Sequence, residues 1–246
     1  MNRMPQAQIF WTLVNRAWVD LDHGSPWLSP AEQQKLATLR FPKRRDEWLL
    51  GRYAAKSLLR SLPAYRGLPP KAIEVRNDPD GVPALVLPAG TLPPGSLTIS
   101  HSGPYALCAV SAGPDLRIGA DLERVETRSE DFIEDYFTPC EREMVHAARR
   151  ESRDFVATLV WSLKEAMLKA LGVGLRWDTR RVEVSETDSL PEVGQAWQAL
   201  QVSDHENTHR PWAAWAQSRG DYVLTAAALP GEGCDPHSIQ LAEQTI

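Results

Sequence analysis

The chain has 246 residues, 43% hydrophobic and 24% charged, a length and balance that supply cores for one large domain or two small ones and exclude a disordered chain. Its net charge of −5 comes with no basic run of the kind that neutralises many phosphates, which sets aside DNA and RNA as partners. No stretch approaches the about 20 apolar residues of a membrane span, Met1–Phe10 lacks the pattern of a secretory leader, and Cys108, Cys140 and Cys234 are too few and too scattered for a disulfide framework or a zinc site, so a cytoplasmic protein is expected.

In chain order, Gln8–Val14 reads as a short buried strand. Ser29-Pro30-Ala31-Glu32 is a capping box with proline at the first helical position, so a helix is expected from Pro30 to about Arg40. Asp46–Arg60 has helical spacing, with Leu50, Tyr53, Ala54 and Ser57 on one side and a cationic stripe of Arg45, Arg52 and Lys56 on another. Proline and glycine then dominate from Leu68 to Gly95, with Asp80-Gly81 as a turn, before two strand-like runs, Leu97–Ser100 and Tyr105–Val110.

Past Gly113-Pro114, Ile118–Leu122 reads as a strand, followed by a charged stretch and a second capping box, Thr138-Pro139-Cys140-Glu141, opening a helix to about Arg150. Phe155–Leu171 is the longest helical pattern, with Val156, Leu159, Val160, Leu163 and Met167 at core spacing and Gly172 as its stop. Ser185–Thr208 is polar and ambiguous. Trp212–Gln217 and Tyr222–Leu229 form a closing hairpin, and the last dozen residues read as a loose tail. A long helix followed by a hairpin occurs in each half, which hints at a duplicated unit divided near residues 113–117, as 1–115 and 116–246.

Three segments carry chemistry. Asp121 and Glu123 stand two apart on a strand, so both carboxylates share a face and could chelate one cation; an exposed strand end with solvated acids is the plainer reading. Trp161, Glu165 and Lys169 share a helix face, where an ordinary Glu–Lys pair beside a buried tryptophan is the alternative. Ser100-His101-Ser102-Gly103 could set a hydroxyl, an imidazole and backbone amides around a phosphate, or could be a polar hairpin loop.

Taken in order, Ile99-Ser100-His101-Ser102-Gly103, Ile118-Gly119-Ala120-Asp121-Leu122-Glu123 and Trp161-Ser162-Leu163-Lys164-Glu165-Ala166, with Lys169 and Gly172 behind and Leu49-Leu50-Gly51-Arg52 ahead, resemble the surfactin-type 4′-phosphopantetheinyl transferase family, the branch with a Trp-x-x-Lys-Glu-Ala signature. The resemblance spans residues 49–172. It implies an α+β fold of two similar halves related by a pseudo-twofold, a monomeric pseudo-dimer, with coenzyme A in the cleft between them. It further implies transfer of the phosphopantetheine arm of coenzyme A to a serine of an apo acyl or peptidyl carrier protein, releasing 3′,5′-adenosine bisphosphate. By motif match, Asp121, Glu123 and Glu165 would hold Mg²⁺, an all-oxygen site that suits this ion. Lys169 would neutralise phosphate charge, and Ser100 and His101 would contact the nucleotide, His101 at the 3′-phosphate.

Glu165 is the expected base, with Glu141, in its family-like position after Phe137-Thr138-Pro139-Cys140, as the alternative; Glu141 also suits its capping box. Two departures stand out. The chain has Gly81-Val82-Pro83 where many members carry Gly-Lys-Pro or Gly-Arg-Pro, and Glu47 where some carry arginine. Arg52, Arg45 and Lys56 are therefore the expected substitutes, Arg52 first. A carrier protein is expected to dock where residues 124–136 and helix 139–150 border the cleft, on Arg124, Arg128, Arg142, Phe132, Phe137 and Met144. A non-catalytic binding module and a metal-dependent phosphohydrolase are the rival readings; the intact acids and Lys169 argue against the first, and the scarcity of His and Asp ligands against the second.

Overall fold

Ser29 and Thr138 open two helices in the same way. Ser29 Oγ accepts from Glu32 N at 3.2 Å while Glu32 Oε2 accepts from Ser29 N at 2.8 Å; Thr138 Oγ1 and Glu141 repeat the exchange at 3.3 and 2.8 Å. Each reciprocal bond satisfies backbone donors that a helix start leaves open. The computed structural model describes residues 7–21, 25–112, 115–185 and 190–246. Residues 1–6, in the leader reading, 113–114, in the expected boundary, and 186–189, in the ambiguous polar stretch, lie outside the described residues.

From these starts the same order of elements runs twice. The first pass is β1 (Gln8–Asn15), α1 (Pro30–Thr38), α2 (Pro42–Ser61), the small ladder β2 (Glu74–Asn77) and β3 (Pro83–Val86), and the hairpin β4 (Leu97–Ser102) and β5 (Tyr105–Ser111). The second is β6 (Leu116–Arg124), α3 (Glu130–Tyr136), α4 (Pro139–Ala147), α5 (Arg153–Leu171), then β7 (Val182–Val184), β8 (Gln198–Leu200) and β9 (Val202–Asp204), and the hairpin β10 (Ala213–Arg219) and β11 (Tyr222–Pro230). β1 pairs antiparallel with β5 as β6 does with β11, and Ser102↔Tyr105 closes the first hairpin as Arg219↔Tyr222 closes the second. The chain is an α+β protein with two four-stranded sheets.

The last strand breaks the symmetry and corrects the tail reading. β12 (Gln240–Glu243) lies parallel to β1, Gln8↔Gln240 through Trp11↔Glu243, and so covers an edge that would otherwise present open N–H and C=O groups. The sheet order is β12-β1-β5-β4 on one side and β6-β11-β10-β8 on the other. Between the sheets Ile9, Trp11 and Leu107 meet Ile118, Leu122 and Leu224 in a dry layer, each full burial of such a side chain contributing about 1.5–3 kcal/mol. α2 covers the first sheet and α5 the second.

α5 lies against β6 with almost no space between backbones. A Cβ added to Gly119 would come within 1.9 Å of Ala166 O and 2.6 Å of Ala170 N, so only glycine fits. This contact sets Asp121, two residues along β6, beside the last two turns of α5. Gly172 then ends α5 in the left-handed region, φ 74°, as its stop signal predicts. Among the described residues no helix is long and apolar enough to cross a membrane.

Candidate active-site cleft

The alternation of β6 places Asp121 and Glu123 on one face, and the helical period of α5 brings Glu165 and Lys169 to meet them. Asp121 is buried, 1% exposed, and is the point where three elements join. Its Oδ1 accepts from Ser100 Oγ of β4 at 2.7 Å and from Lys169 Nζ of α5 at 2.6 Å, and its Oδ2 accepts from Ser162 Oγ at 2.8 Å. Lys169 Nζ also donates to Ser100 Oγ at 3.1 Å and stands 3.6 Å from Glu165 Oε2.

The charges of this cluster show in its titration. Burial opposes the ionised form of Asp121, but the Lys169 ammonium and the bonds from Lys169, Ser100 and Ser162 hold it below the ordinary aspartate value. Glu165 is pushed up to about 7, by burial first and then by Asp121, with Lys169 opposing and Glu123 adding to the rise. Glu123 is raised by burial and by Asp121, against Arg128, whose Nη2 is 3.3 Å from Glu123 Oε2. Three carboxylates thus face two cations, Lys169 beside Asp121 and Glu165 and Arg128 beside Glu123, an excess of negative charge on hard oxygen donors that suits a divalent cation. Among the described residues no three such side chains converge closely enough to ligate one ion together, and Lys169 is the cation that Asp121 holds.

A cleft of about 550 Å³ opens beside Lys169, walled by Arg44, Trp48 and Arg52 of α2, His101 of β4, and Gly172 after α5. Arg52 is 8% exposed, lies over the Trp48 ring at 4.4 Å and donates from Nη2 to Asn77 Oδ1 at 2.7 Å, while its buried Nε has no partner among the described residues. Burial lowers its value to about 10, a measure of how poorly this guanidinium is solvated. His101 is lowered to about 4, chiefly by burial and then by the charges of Lys169, Arg44 and Arg52, so it is neutral at pH 7. Arg44, Arg52 and Lys169 give this pocket cationic walls, and Lys169 joins it to the carboxylates.

The structure brings Asp121, Glu123, Glu165, Lys169, Ser100, His101 and Arg52 to this one region. Three expected residues go elsewhere. Arg45 is exposed and off the cleft wall. Lys56 is 2% exposed, held by Glu32 Oε2 at 2.5 Å and the carbonyls of Trp27 and Pro70, so its ammonium is already spent inside the first repeat. Glu141 is fully buried with both oxygens occupied, Oε2 by Thr138 N and Lys164 Nζ and Oε1 by Val184 N, which leaves it no access to a substrate proton. Of the expected docking residues Phe137 is core at 0% exposed, whereas Phe132 is half-buried with its ring 4.8 Å from Trp161.

Arg44, Trp48 and Lys35 of the cleft wall are the residues that sequence reading misses. The signal was present: Arg44, Trp48 and Arg52 follow a spacing of four, one stripe of α2, while the stripe read through Arg45 points to a neighbouring face.

Residues 117–227 match the family model of the 4′-phosphopantetheinyl transferase superfamily, a segment that holds Asp121, Glu123, Glu165 and Lys169. The human L-aminoadipate-semialdehyde dehydrogenase-phosphopantetheinyl transferase is 24% identical over 212 residues, 82% of this chain and 67% of that protein. The 4′-phosphopantetheinyl transferase HetI of Nostoc is 29% identical over 188 residues, 73% of this chain and 75% of its own, and the 4′-phosphopantetheinyl transferase of Bacillus subtilis is 33% identical over 109 residues, 44% of this chain and 46% of its own. The solved holo-[acyl-carrier-protein] synthase of Thermotoga maritima aligns with 47% of this chain and 63% of that one at 22% identity and a TM-score of 0.38.

Proposed function

We propose that this chain, whose residues 117–227 match the family model of the 4′-phosphopantetheinyl transferase superfamily, is an enzyme that moves the phosphopantetheine arm of coenzyme A onto a serine of an apo acyl or peptidyl carrier protein and releases 3′,5′-adenosine bisphosphate. The observation that carries the reading is the meeting of Asp121, Glu165 and Lys169 at the end of a cation-walled cleft large enough for a nucleotide. The Trp161, Lys164, Glu165 and Ala166 signature favours the surfactin-type branch, with repeats 1–115 and 116–246, as a cytoplasmic monomer.

Coenzyme A binds with its nucleotide along Arg44, Arg52 and neutral His101 and its pyrophosphate toward Lys169. Asp121, Glu123 and Glu165 would have to draw closer together than they stand here to hold Mg²⁺, which when bound supplies charge neutralisation at the pyrophosphate. The carrier serine hydroxyl attacks the β-phosphorus, the bond to the leaving 3′,5′-adenosine bisphosphate breaks, and the serine proton passes to Glu165, directly or through a water. Lys169 steadies the charge that develops on the transferring phosphoryl oxygens, as positioned cations do in other phosphoryl transfers. Asp121 fixes Lys169 and Ser100, and the burial of its carboxylate keeps that arrangement rigid.

The carrier docks at the Phe132–Tyr136–Trp161 aromatic cluster, because Trp161 shares a hydrogen bond with Glu123 and Tyr136 is 40% exposed beside it. Apolar contact there gives affinity that persists in salt, while Arg124 acts on the encounter rate. Incubation with coenzyme A, Mg²⁺ and an apo carrier protein, followed by mass spectrometry of the carrier, tests the function. A gain of one phosphopantetheine is expected. An unmodified carrier with intact coenzyme A leaves only a binding module, and hydrolysed coenzyme A points to a phosphohydrolase.

A further inference from the structure

Among the residues that line the cleft, Asp80 is the one carboxylate, set against Lys35, Arg44, Arg52 and Lys169. It sits at the tip of the β2–β3 turn, where Asp78 Oδ1 accepts from the N–H of Asp80 at 2.9 Å and of Val82 at 2.8 Å, and Gly81 takes φ +88°. Its partner comes from the other repeat. Arg176 reaches across the mouth and donates from Nη1 to Asp80 Oδ1, while its Nη2 bonds Gly172 O at 3.1 Å and its Nε bonds Val173 O at 3.0 Å. Gly172 and Gly174 of that same loop line the cleft.

We propose that Arg176 is a phosphate-binding cation of this cleft, parked on Asp80 until a phosphorylated ligand takes over its guanidinium. The inference rests on the coenzyme A reading and specifies how that ligand is held. Arg176 and Asp80 are 51% and 63% exposed, so their bond is screened by water and weak. A phosphate oxygen held inside the cleft offers Nη1 a charge-assisted bond that is less screened and stronger. The carbonyls of Gly172 and Val173 hold Nη2 and Nε, so the exchange is at Nη1, where a phosphate oxygen replaces Asp80 Oδ1 as acceptor. Val82 leaves this turn without a cation of its own, and Arg176 brings one from the facing repeat.

Opposite signs separate this role from a simple strap. If Arg176 serves the ligand and Asp80 competes for it, Arg176→Ala weakens coenzyme A binding by about fivefold and Asp80→Asn tightens it by about twofold, the ratios expected for one exposed charge pair. Calorimetric titration of coenzyme A into the full chain measures both, with circular dichroism as the control for fold. Both ratios shrink as salt rises. The same titration with dephospho-coenzyme A locates the contact: an Arg176→Ala effect that persists puts it at the pyrophosphate, and one that vanishes puts it at the 3′-phosphate. Weakening by both substitutions shows a strap and overturns the proposal, as does no change in either. Failure of the wild-type chain to bind coenzyme A overturns the functional reading and this inference with it, whereas binding with unchanged variants removes the Arg176 assignment alone.

Discussion

Lys164 Nζ lies 2.5 Å from Glu141 Oε2 with both side chains fully buried, and Lys56 and Glu32 repeat that pair at 2.5 Å in the other half of the chain. The glutamates also accept matching strand amides, Val184 N at 2.8 Å and Val75 N at 3.0 Å. Each pair ties a capping-box helix, a long helix and a small ladder together. Burial pushes the Glu141 carboxyl up and the Lys164 ammonium down, so either charge left alone is costly. Lys164→Met is expected to destabilise the fold by about 3–5 kcal/mol, the range for breaking a buried pair from one side. Urea unfolding followed by circular dichroism measures it, and a loss below about 1 kcal/mol would show that the pair is not what joins these elements.

Lys56 and Arg52 lie one turn apart on α2, yet the structure gives them different work. Lys56→Met is expected to lower stability as Lys164→Met does while leaving the KM for coenzyme A of the folded enzyme unchanged. Arg52→Ala is expected to raise that KM about tenfold, which corresponds to about 1.4 kcal/mol, within the range for a hydrogen bond to a charged group. Steady-state kinetics over coenzyme A at fixed carrier decides between them. A raised KM in Lys56→Met would return that lysine to the ligand.

The difference between those two residues shows where local sequence stops being informative. Ser29 to Glu32 and Thr138 to Glu141 announce their helices within four residues, and Asp121 and Glu123 share a face because strand period alone demands it. Lys56 reads as part of a cationic stripe free to meet a phosphate because its partner Glu32 is 24 residues away and their pairing is a tertiary event. β12 has the same cause: its polar sequence becomes a strand only because β1, at the far end of the chain, offers a free edge. Proline and glycine hide β2 and β3, whose pairing from Glu74↔Val86 to Asn77↔Pro83 tolerates Pro83 at a strand start. The repeat, faint in residue identity, is plain in pairing order and in the two Glu–Lys pairs.

Gly119 is the narrowest point between α5 and β6. Gly119→Ala must push apart two backbones, since the nearest atoms are Ala166 O and Ala170 N rather than movable side-chain ends. A loss of about 3 kcal/mol is expected, the upper end for overpacking. The folded fraction should also lose transfer activity, because α5 carries Glu165 and Lys169 away from Asp121. Near-normal stability and turnover together would mean that α5 can shift without disturbing the site.

His101 gives the stability curve an acid limb. Its folded value of about 4 lies below the ordinary 6.5, so between these pH values the unfolded chain binds a proton that the native chain does not. Stability from this group is therefore present above about pH 6.5 and is lost as pH falls toward 4. The upper bound is about 3 kcal/mol, at about 1.4 kcal/mol for each tenfold change in proton affinity. His101→Gln, which cannot take up the proton, should flatten this part of the curve of unfolding free energy against pH. Parallel wild-type and variant curves from pH 7 to pH 4 would show that His101 is solvated enough to titrate normally.

Asp121 is the residue on which the site converges, and Asp121→Asn removes its charge while keeping its shape. The amide can still accept from Ser162, but Lys169 Nζ, 2.6 Å away, loses the carboxylate that holds it and keeps the neutral acceptors Ser100 Oγ at 3.1 Å and Ala120 O at 3.3 Å with the more distant Glu165 carboxylate at 3.6 Å. Glu165, relieved of a negative neighbour, falls toward the ordinary glutamate value and becomes a weaker base. Lys169, the proposed cation and the proposed base are thus disturbed by one substitution, and kcat should fall by about 10²–10³, the loss seen when one electrostatic stabiliser of a transition state is removed. KM for coenzyme A should change little, because Arg44, Arg52 and His101 keep their places along α2 and β4. The measurement is carrier mass against time at saturating coenzyme A and Mg²⁺, with thermal unfolding run alongside. Turnover within about threefold of wild type in a folded variant would remove Asp121 from the centre of the chemistry and leave it a buried counter-ion that only pins α5 to β4.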